Sequence, residues 1–294
     1  MDSVLTTVGL PVALAIIMLG LGLDLTVNDF RRVGRHPRAV GVALACQLLL
    51  LPSVCFGLVV LLDLPALLGI GMLLLAASPG GTSANLFSHL FRGDVALNIT
   101  LTAINSLIAL FTLPLITGLA ISYYDRGEDV ALPVVEVAQV FAIVLVPVAI
   151  GMVVRARAAA FAGRMERPVR IGSAVILAVL VLGILLDQSE NVGSYLADVG
   201  LAAGLFCAIS LVVGYVVPKA AGIQDDQAIA SSMEIGVHNA TLAIFVAVEV
   251  LEETEISIPA AVYSVFMFVL AGIWGSFVSR RSAPVAAAAE TTHA

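Results

Sequence analysis

Apolar runs of roughly 20 residues, separated by short polar segments, fill this chain almost from end to end. A helix of that length crosses a ~30 Å hydrocarbon core. The pattern predicts nine spans, near residues 4–26, 39–62, 65–91, 95–122, 132–154, 171–187, 197–217, 226–250 and 258–278. Two of them are interrupted. The third carries Ser78, Pro79, Gly80, Gly81, Thr82, Ser83, Ala84 and Asn85, and the eighth carries Glu234, Ile235, Gly236, Val237, His238, Asn239, Ala240 and Thr241. Lipid offers no partner for a freed N–H or C=O, so irregular backbone at membrane depth must line a protein-walled cavity. One break near each end of the chain, both rich in oxygen-bearing side chains, is the pattern of a secondary transporter's binding centre.

Composition excludes the soluble classes. Hydrophobic residues make up 60% of the chain and charged residues only 12%, with a mean hydropathy of +1.08. The fold class expected is an all-α polytopic membrane protein whose surroundings are the lipid bilayer. Met1 and Asp2 precede an apolar run with no basic segment and no cleavage site, so this run is read as the first span rather than a signal peptide. Cys46, Cys55 and Cys207 all lie in apolar segments, which argues against a disulfide framework, and no metal-ligand spacing is present. No glycine-rich phosphate loop follows a strand, so ATP drive is not indicated. Neither an enzyme, an organic cofactor nor a nucleic-acid partner is expected.

The net charge of −7 matters less than its distribution. Alternate loops hold Arg31, Arg32, Arg35 and Arg38; Arg92; Arg155, Arg157, Arg164, Arg167 and Arg170; Lys219; and Arg280 and Arg281. That places 13 of the 14 basic residues on one side, with Arg126 alone opposite. The positive-inside rule makes that side cytoplasmic in a multi-pass plasma-membrane protein, with the N-terminus outside and the C-terminus inside. The opposite loops carry Asp125, Glu128, Asp129, Asp187, Glu190, Asp198, Glu252, Glu253 and Glu255, read as a solvated surface. Residues 282–294 are rich in alanine and threonine without apolar period and are expected to form a disordered cytoplasmic tail.

Residues 1–281 thus form a single transmembrane unit with faint internal symmetry. Span one ends Met18, Leu19, Gly20, Leu21, Gly22, Leu23, Asp24, and span six ends Val181, Leu182, Gly183, Ile184, Leu185, Leu186, Asp187. Spans two and seven each carry a proline, Pro52 and Pro218, and spans three and eight each carry a break running in opposite directions across the bilayer. The expectation is two inverted repeats, at about 4–122 and 171–278, with span 132–154 unpaired.

Each break exposes a helix N-terminus, which favours an anion. Thr82 and Ser83 at the first, and His238 and Asn239 at the second, are the candidate substrate-binding residues. Carbonyls released at the second break, those of Ile235 and Val237, suit a hard cation. Glu234 is the leading candidate for function: a carboxylate near mid-membrane costs about 2.5–3.5 kcal/mol on insertion scales unless it faces a cavity or a partner. A purely structural pair with His238 is the competing reading. Gln47 offers an amide oxygen, or alternatively an interhelical hydrogen bond. Asn98 and Thr102, four apart on span four, share a face that Asn105 and Ser106 extend.

With these motifs in view, the chain resembles the bile acid:sodium symporter family, in its nine-span prokaryotic-type form. The resemblance rests on Met18 to Asp24, Gln47 to Pro52, Pro79 to Asn85, Arg92-Gly93-Asp94-Val95-Ala96-Leu97 and Glu234 to Asn239. It implies a panel domain and a core domain in which two broken helices cross. It also implies two sodium sites, the first from Asn85, Asn98, Thr102 and Glu234, the second from Gln47, Glu234, the carbonyls of Ile235 and Val237, and His238. Three departures stand out. Ala84, with Ser83 beside it, occupies a position commonly serine in the family, and His238 one commonly glutamine; Asn98 likewise replaces a common hydroxyl. A neutral imidazole is a poorer sodium ligand than an amide oxygen and titrates near physiological pH. The chain is therefore expected to carry one or two sodium ions, or to use a proton at His238 in place of one.

The function expected is sodium-coupled symport of an organic anion, either bile-acid-like or a small carboxylate such as pantoate. The alternatives are a proton-coupled carrier using His238 and Glu234, or an exporter resembling cation/proton antiporters. The latter would want an acid pair or an acid–lysine arrangement at the crossing, where this chain has one acid and no lysine.

Overall fold

The computed structural model describes residues 10–124, 134–187 and 192–281, and these are helical apart from short connections. The expected tail, Arg126 and the acidic residues Asp125, Glu128, Asp129 and Glu190 lie outside the described residues. The chain opens with α1 (Leu10–Asp24), the short α2 (Val27–Arg32) and α3 (Pro37–Ala45). Pro37 sits in the first turn of α3, where its missing N–H is no loss. A π-helical turn, Cys46–Leu50, carries α3 into α4 (Leu51–Leu61). Such turns displace side chains from the regular helical register and recur at functional sites; this one holds the buried Gln47.

Both predicted breaks are present. α5 (Ala66–Ala77) stops before Ser78 and α6 (Thr82–Leu90) resumes after Gly81. After α7 (Val95–Tyr123), α8 (Val134–Arg157), α9 (Ala159–Asp187) and α10 (Val192–Ala220), α11 (Asp225–Gly236) stops and α12 (Ala240–Phe245) resumes, running into a second π turn, Val246–Val250. α13 (Thr254–Arg281) closes the described chain. Each break is built locally. Ser78 leaves α5 in extended backbone just ahead of Pro79, as a residue before proline prefers. Asn239 caps α12 by accepting from the Leu242 amide at 3.1 Å.

The breaks satisfy one another. Gly80 and His238 form an isolated antiparallel bridge. The Asn239 amide donates to the Pro79 carbonyl at 2.8 Å, and the Gly81 amide to the Val237 carbonyl at 3.4 Å. Backbone groups that lipid cannot satisfy are thus paired across the crossing.

Among the described residues, three helices are long and apolar enough to cross a membrane unaided: Pro37–Leu61, Gly193–Ala220 and Thr254–Arg280. Val95–Ala109 with Phe111–Tyr123 makes a fourth as a bent pair, and α5 is one of the shorter apolar helices. Leu61 and Phe111 are 79% and 76% exposed, an apolar surface suited to lipid rather than water.

The expected loop 155–170 is a different matter. α9 begins at Ala159, a single residue after α8 ends, so most of this arginine-bearing stretch is helical. Alanine, arginine, methionine and glutamate are strong helix formers, and hydropathy alone does not register that propensity. The short α2 likewise replaces expected loop: Thr26 and Asp29 cap its start reciprocally.

α1, α8 and α9 pack on one another, and α5, α7, α10, α11 and α13 make a second set of mutual contacts. In the first set, a Cβ added at Gly22 or Gly151 would overlap the backbone of the facing helix, so α1 and α8 approach as only small residues permit. α1 also touches α6 and α12, beside the breaks.

Candidate functional site

Glu234 lies in the last turn of α11 and is completely buried. A buried charge is tolerated only when paired and hydrogen-bonded. Here the carboxylate has three partners, all donors. Thr102 Oγ1 donates to Oε2 at 2.5 Å, Asn105 Nδ2 to Oε1 at 3.1 Å, and the Gly80 amide to Oε1 at 3.2 Å. Two come from one face of α7 and one from the break opposite. A Cβ at Gly80 would overlap the carboxylate itself, so a side chain there would force Glu234 to move.

Four side-chain amide oxygens are buried without hydrogen-bond partners: Gln47 Oε1, Asn85 Oδ1, Asn98 Oδ1 and Asn105 Oδ1. Three of these amides are anchored through their NH2 groups: Gln47 donates to the Ser78 carbonyl at 3.0 Å, Asn98 to the Ala230 carbonyl at 2.7 Å, and Asn105 to Glu234. The anchoring fixes which end of each amide is the oxygen. A buried acceptor lacking a donor is costly, and a cation relieves several at once. The donor set is amide, carboxylate and hydroxyl oxygen. Among the described residues no group of three or more His, Cys, Asp or Glu could hold a metal ion. These residues therefore fit a hard cation of low charge rather than a transition metal.

Of the four expected first-site residues, three are linked across α7 and α11. Thr102 touches Glu234 directly, and Asn98, one turn earlier on α7, anchors to Ala230, one turn before Glu234 on α11. Asn85 is buried on α6 with neither amide atom bonded. Ala84 is fully buried beside it. For the second site, Gln47 Nε2 and His238 Nδ1 meet on the same Ser78 carbonyl, at 3.0 and 3.1 Å. A carbonyl only accepts, so Nδ1 carries the proton of the neutral ring and Nε2, buried and without a partner, is a bare acceptor. The ring stacks on Phe206 at 5.6 Å and meets Tyr263 edge-on at 5.5 Å. Ile235 and Val237 differ in what the break does to them. The Asn239 amide, which would close the next helical turn on Ile235, donates to Pro79 instead, whereas the Val237 carbonyl accepts from Gly81.

Thr82, Ser83, His238 and Asn239, the candidate substrate residues, line one small pocket of about 20 Å³ with Gly81, Ala240, Thr241, Ile17 of α1 and Met267 of α13. The pocket therefore joins both breaks to α1. Its size admits a water or an ion rather than an organic anion in this conformation.

Sequence reasoning left Asn105 as an extension of the stripe, although its spacing of three from Thr102 already put it on the same face. It also missed the Gly80 amide and the Ser78 carbonyl. Both are backbone groups, and which partners they take depends on where the chain crosses itself.

The family model described as the sodium bile acid symporter family matches residues 11–195. The chain is 29% identical over 283 residues to the "Probable sodium/metabolite cotransporter", chloroplastic, of Arabidopsis thaliana, covering 93% of this chain and 67% of the relative. It is 27% identical over 284 residues to an uncharacterized sodium-dependent transporter of Bacillus subtilis, covering 92% and 84%. With the ileal sodium/bile acid cotransporter of Homo sapiens it shares 24% over 285 residues, covering 94% and 80%. The chain spans about two thirds of the length of the first plant relatives, 67% of the Arabidopsis protein and 65% of one from Oryza sativa.

Proposed function

Because the chain belongs to the sodium bile acid symporter family, we propose that it is a sodium-coupled symporter of an organic anion. The observation that carries this reading is the setting of Glu234. A fully buried carboxylate stands where two broken helices meet, held by Thr102, Asn105 and the Gly80 amide, and the side-chain oxygens of Asn98 and Asn105 on the same face of α7 have no partner. The relatives named as sodium cotransporters support the choice of ion.

In this reading Asn85, Asn98, Thr102 and Glu234 hold one sodium ion. Gln47, Glu234 and the Ile235 and Val237 carbonyls, with His238 beside them, form a second, weaker position. Thr82, Ser83, His238 and Asn239 receive the anionic group of the substrate at the helix starts. The nine-span topology, with the N-terminus outside and two inverted repeats, belongs to the same proposal. So does the division into a panel of α1, α8 and α9 and a core of the remaining spans. Rocking of panel against core would open the pocket between α1 and the breaks to each side in turn. A small metabolite carboxylate is the preferred cargo.

Proton coupling at His238 is the second reading. The structure offers the ring one acceptor, the Ser78 carbonyl, which suits the neutral form and gives a second ring proton no place to bond. This favours sodium.

The test is uptake of labelled carboxylates, taurocholate and pantoate among them, into proteoliposomes under an inward sodium gradient and then an inward proton gradient. Accumulation driven by sodium alone supports the reading. Accumulation driven only by protons overturns it.

A further inference from the structure

α7 presents Asn98, Thr102 and Asn105 to α11 at spacings of four and three, which is one helical face. Each reaches a different point on α11: Asn98 the Ala230 carbonyl, Thr102 the Oε2 of Glu234, Asn105 its Oε1. The two contacts on Glu234 are not equivalent. Thr102 has a single hydroxyl proton and a second acceptor within reach, the Asn98 carbonyl at 3.1 Å, so its donation to the carboxylate can lapse. Asn105 donates only to Glu234 among the bonds its amide makes, and its own oxygen is buried without a partner. Oε1 is moreover shared between Asn105 and the Gly80 amide, which ties the carboxylate to both α7 and the opposite break.

We propose that Asn105 is a positioning residue of the coupling-ion site: its amide group turns and holds the Glu234 carboxylate against the crossing, so that the oxygen facing Thr102 is presented to the cation. The proposal rests on the sodium-symport reading. Asn105 is only 2% exposed, and a residue with no task there other than packing would leave no polar atom unpartnered. A leucine of similar size would fill the same space without an orphaned oxygen. The amide therefore calls for a polar reason, and its one bond names it.

The experiment needs no substrate. The melting temperature of the purified full-length protein in detergent is followed as sodium replaces potassium at constant ionic strength, since an ion bound only by the folded state raises it by mass action. Two variants are compared with wild type. Asn105→Leu keeps the volume and removes the donor. It should weaken the sodium midpoint about tenfold or more, as loss of a hydrogen bond to a charged group does, with a sodium-free melting temperature near wild type. Asn105→Ala removes the donor together with most of the side chain and should weaken the sodium midpoint by at least as much as the Leu variant.

A Leu variant with an unchanged midpoint overturns the proposal. If that variant does not fold, an Ala variant with an unchanged midpoint overturns it instead. A wild type that potassium and sodium stabilise equally sinks the sodium reading itself, and the inference with it. A sodium-responsive wild type beside unaffected variants sinks the inference alone.

Discussion

The amide of Gly80 donates to Glu234 across 154 residues of chain, at 3.2 Å. This contact joins the two breaks into one centre, and it leaves no room for a side chain, because a Cβ at residue 80 would stand in the carboxylate. Gly80→Ala is therefore expected to insert in the membrane but to lose sodium-driven uptake by about tenfold or more, the scale of one hydrogen bond to a charged group. Gly57→Ala, where an added Cβ meets nothing within 4 Å, should behave as wild type. Uptake assays normalised to membrane abundance check both.

Thr102→Val is nearly isosteric and removes only the hydroxyl that donates to Oε2 at 2.5 Å. The expected outcome is a sodium half-saturation raised about tenfold, with the substrate half-saturation at saturating sodium changed little. If the sodium value stays put while the maximal rate falls, Thr102 serves packing of α7 rather than the ion.

His238 and Gln47 share the Ser78 carbonyl. In the proposed second sodium position the imidazole supplies a nitrogen where an amide would supply oxygen. His238→Gln should therefore raise the Hill coefficient for sodium above the wild-type value. An unchanged coefficient would contradict the view that this histidine weakens the second position.

At the α10–α11 turn, Lys219 and Asp225 form an ion pair at 2.8 Å, with the Tyr215 hydroxyl donating to the same carboxylate oxygen at 3.1 Å. The lysine, chiefly, lowers the Asp225 pKa, and Asp225 raises that of Lys219. A lowered acid contributes stability above its unfolded pKa and loses it as pH falls through the folded value. A raised base keeps its contribution below its unfolded pKa and loses it as pH rises through the folded one. The pair thus acts between about pH 4 and 10. Both side chains are over a third exposed, so screening limits it to about 1 kcal/mol or less. Lys219→Ala should lower the melting temperature by only a few degrees at pH 7, and by less at pH 3.5.

What the sequence disclosed follows the range of the forces involved. The breaks were legible because proline, glycine and capping residues act within a few positions, and Glu234 stood out because a lone acid in an apolar span has few reasons to be there. The polar face of α7 was legible from its spacing. Its partners were not, since Thr102 and Asn105 meet Glu234 across 132 and 129 residues of chain. Such pairings arise from how helices pack. The early start of α9 at Ala159 escaped notice for the opposite reason: it is a matter of local propensity, which charge-rich composition concealed.

The most direct test of the central claim is sodium-driven uptake by Glu234→Gln in proteoliposomes, beside wild type and with a substrate that wild type accumulates. Glutamine keeps the volume and two polar atoms but removes the charge that would balance sodium. The account predicts that accumulation under a sodium gradient falls to the level of empty vesicles, with the purified variant no longer stabilised by sodium. A variant that still accumulates substrate with wild-type sodium dependence would contradict it.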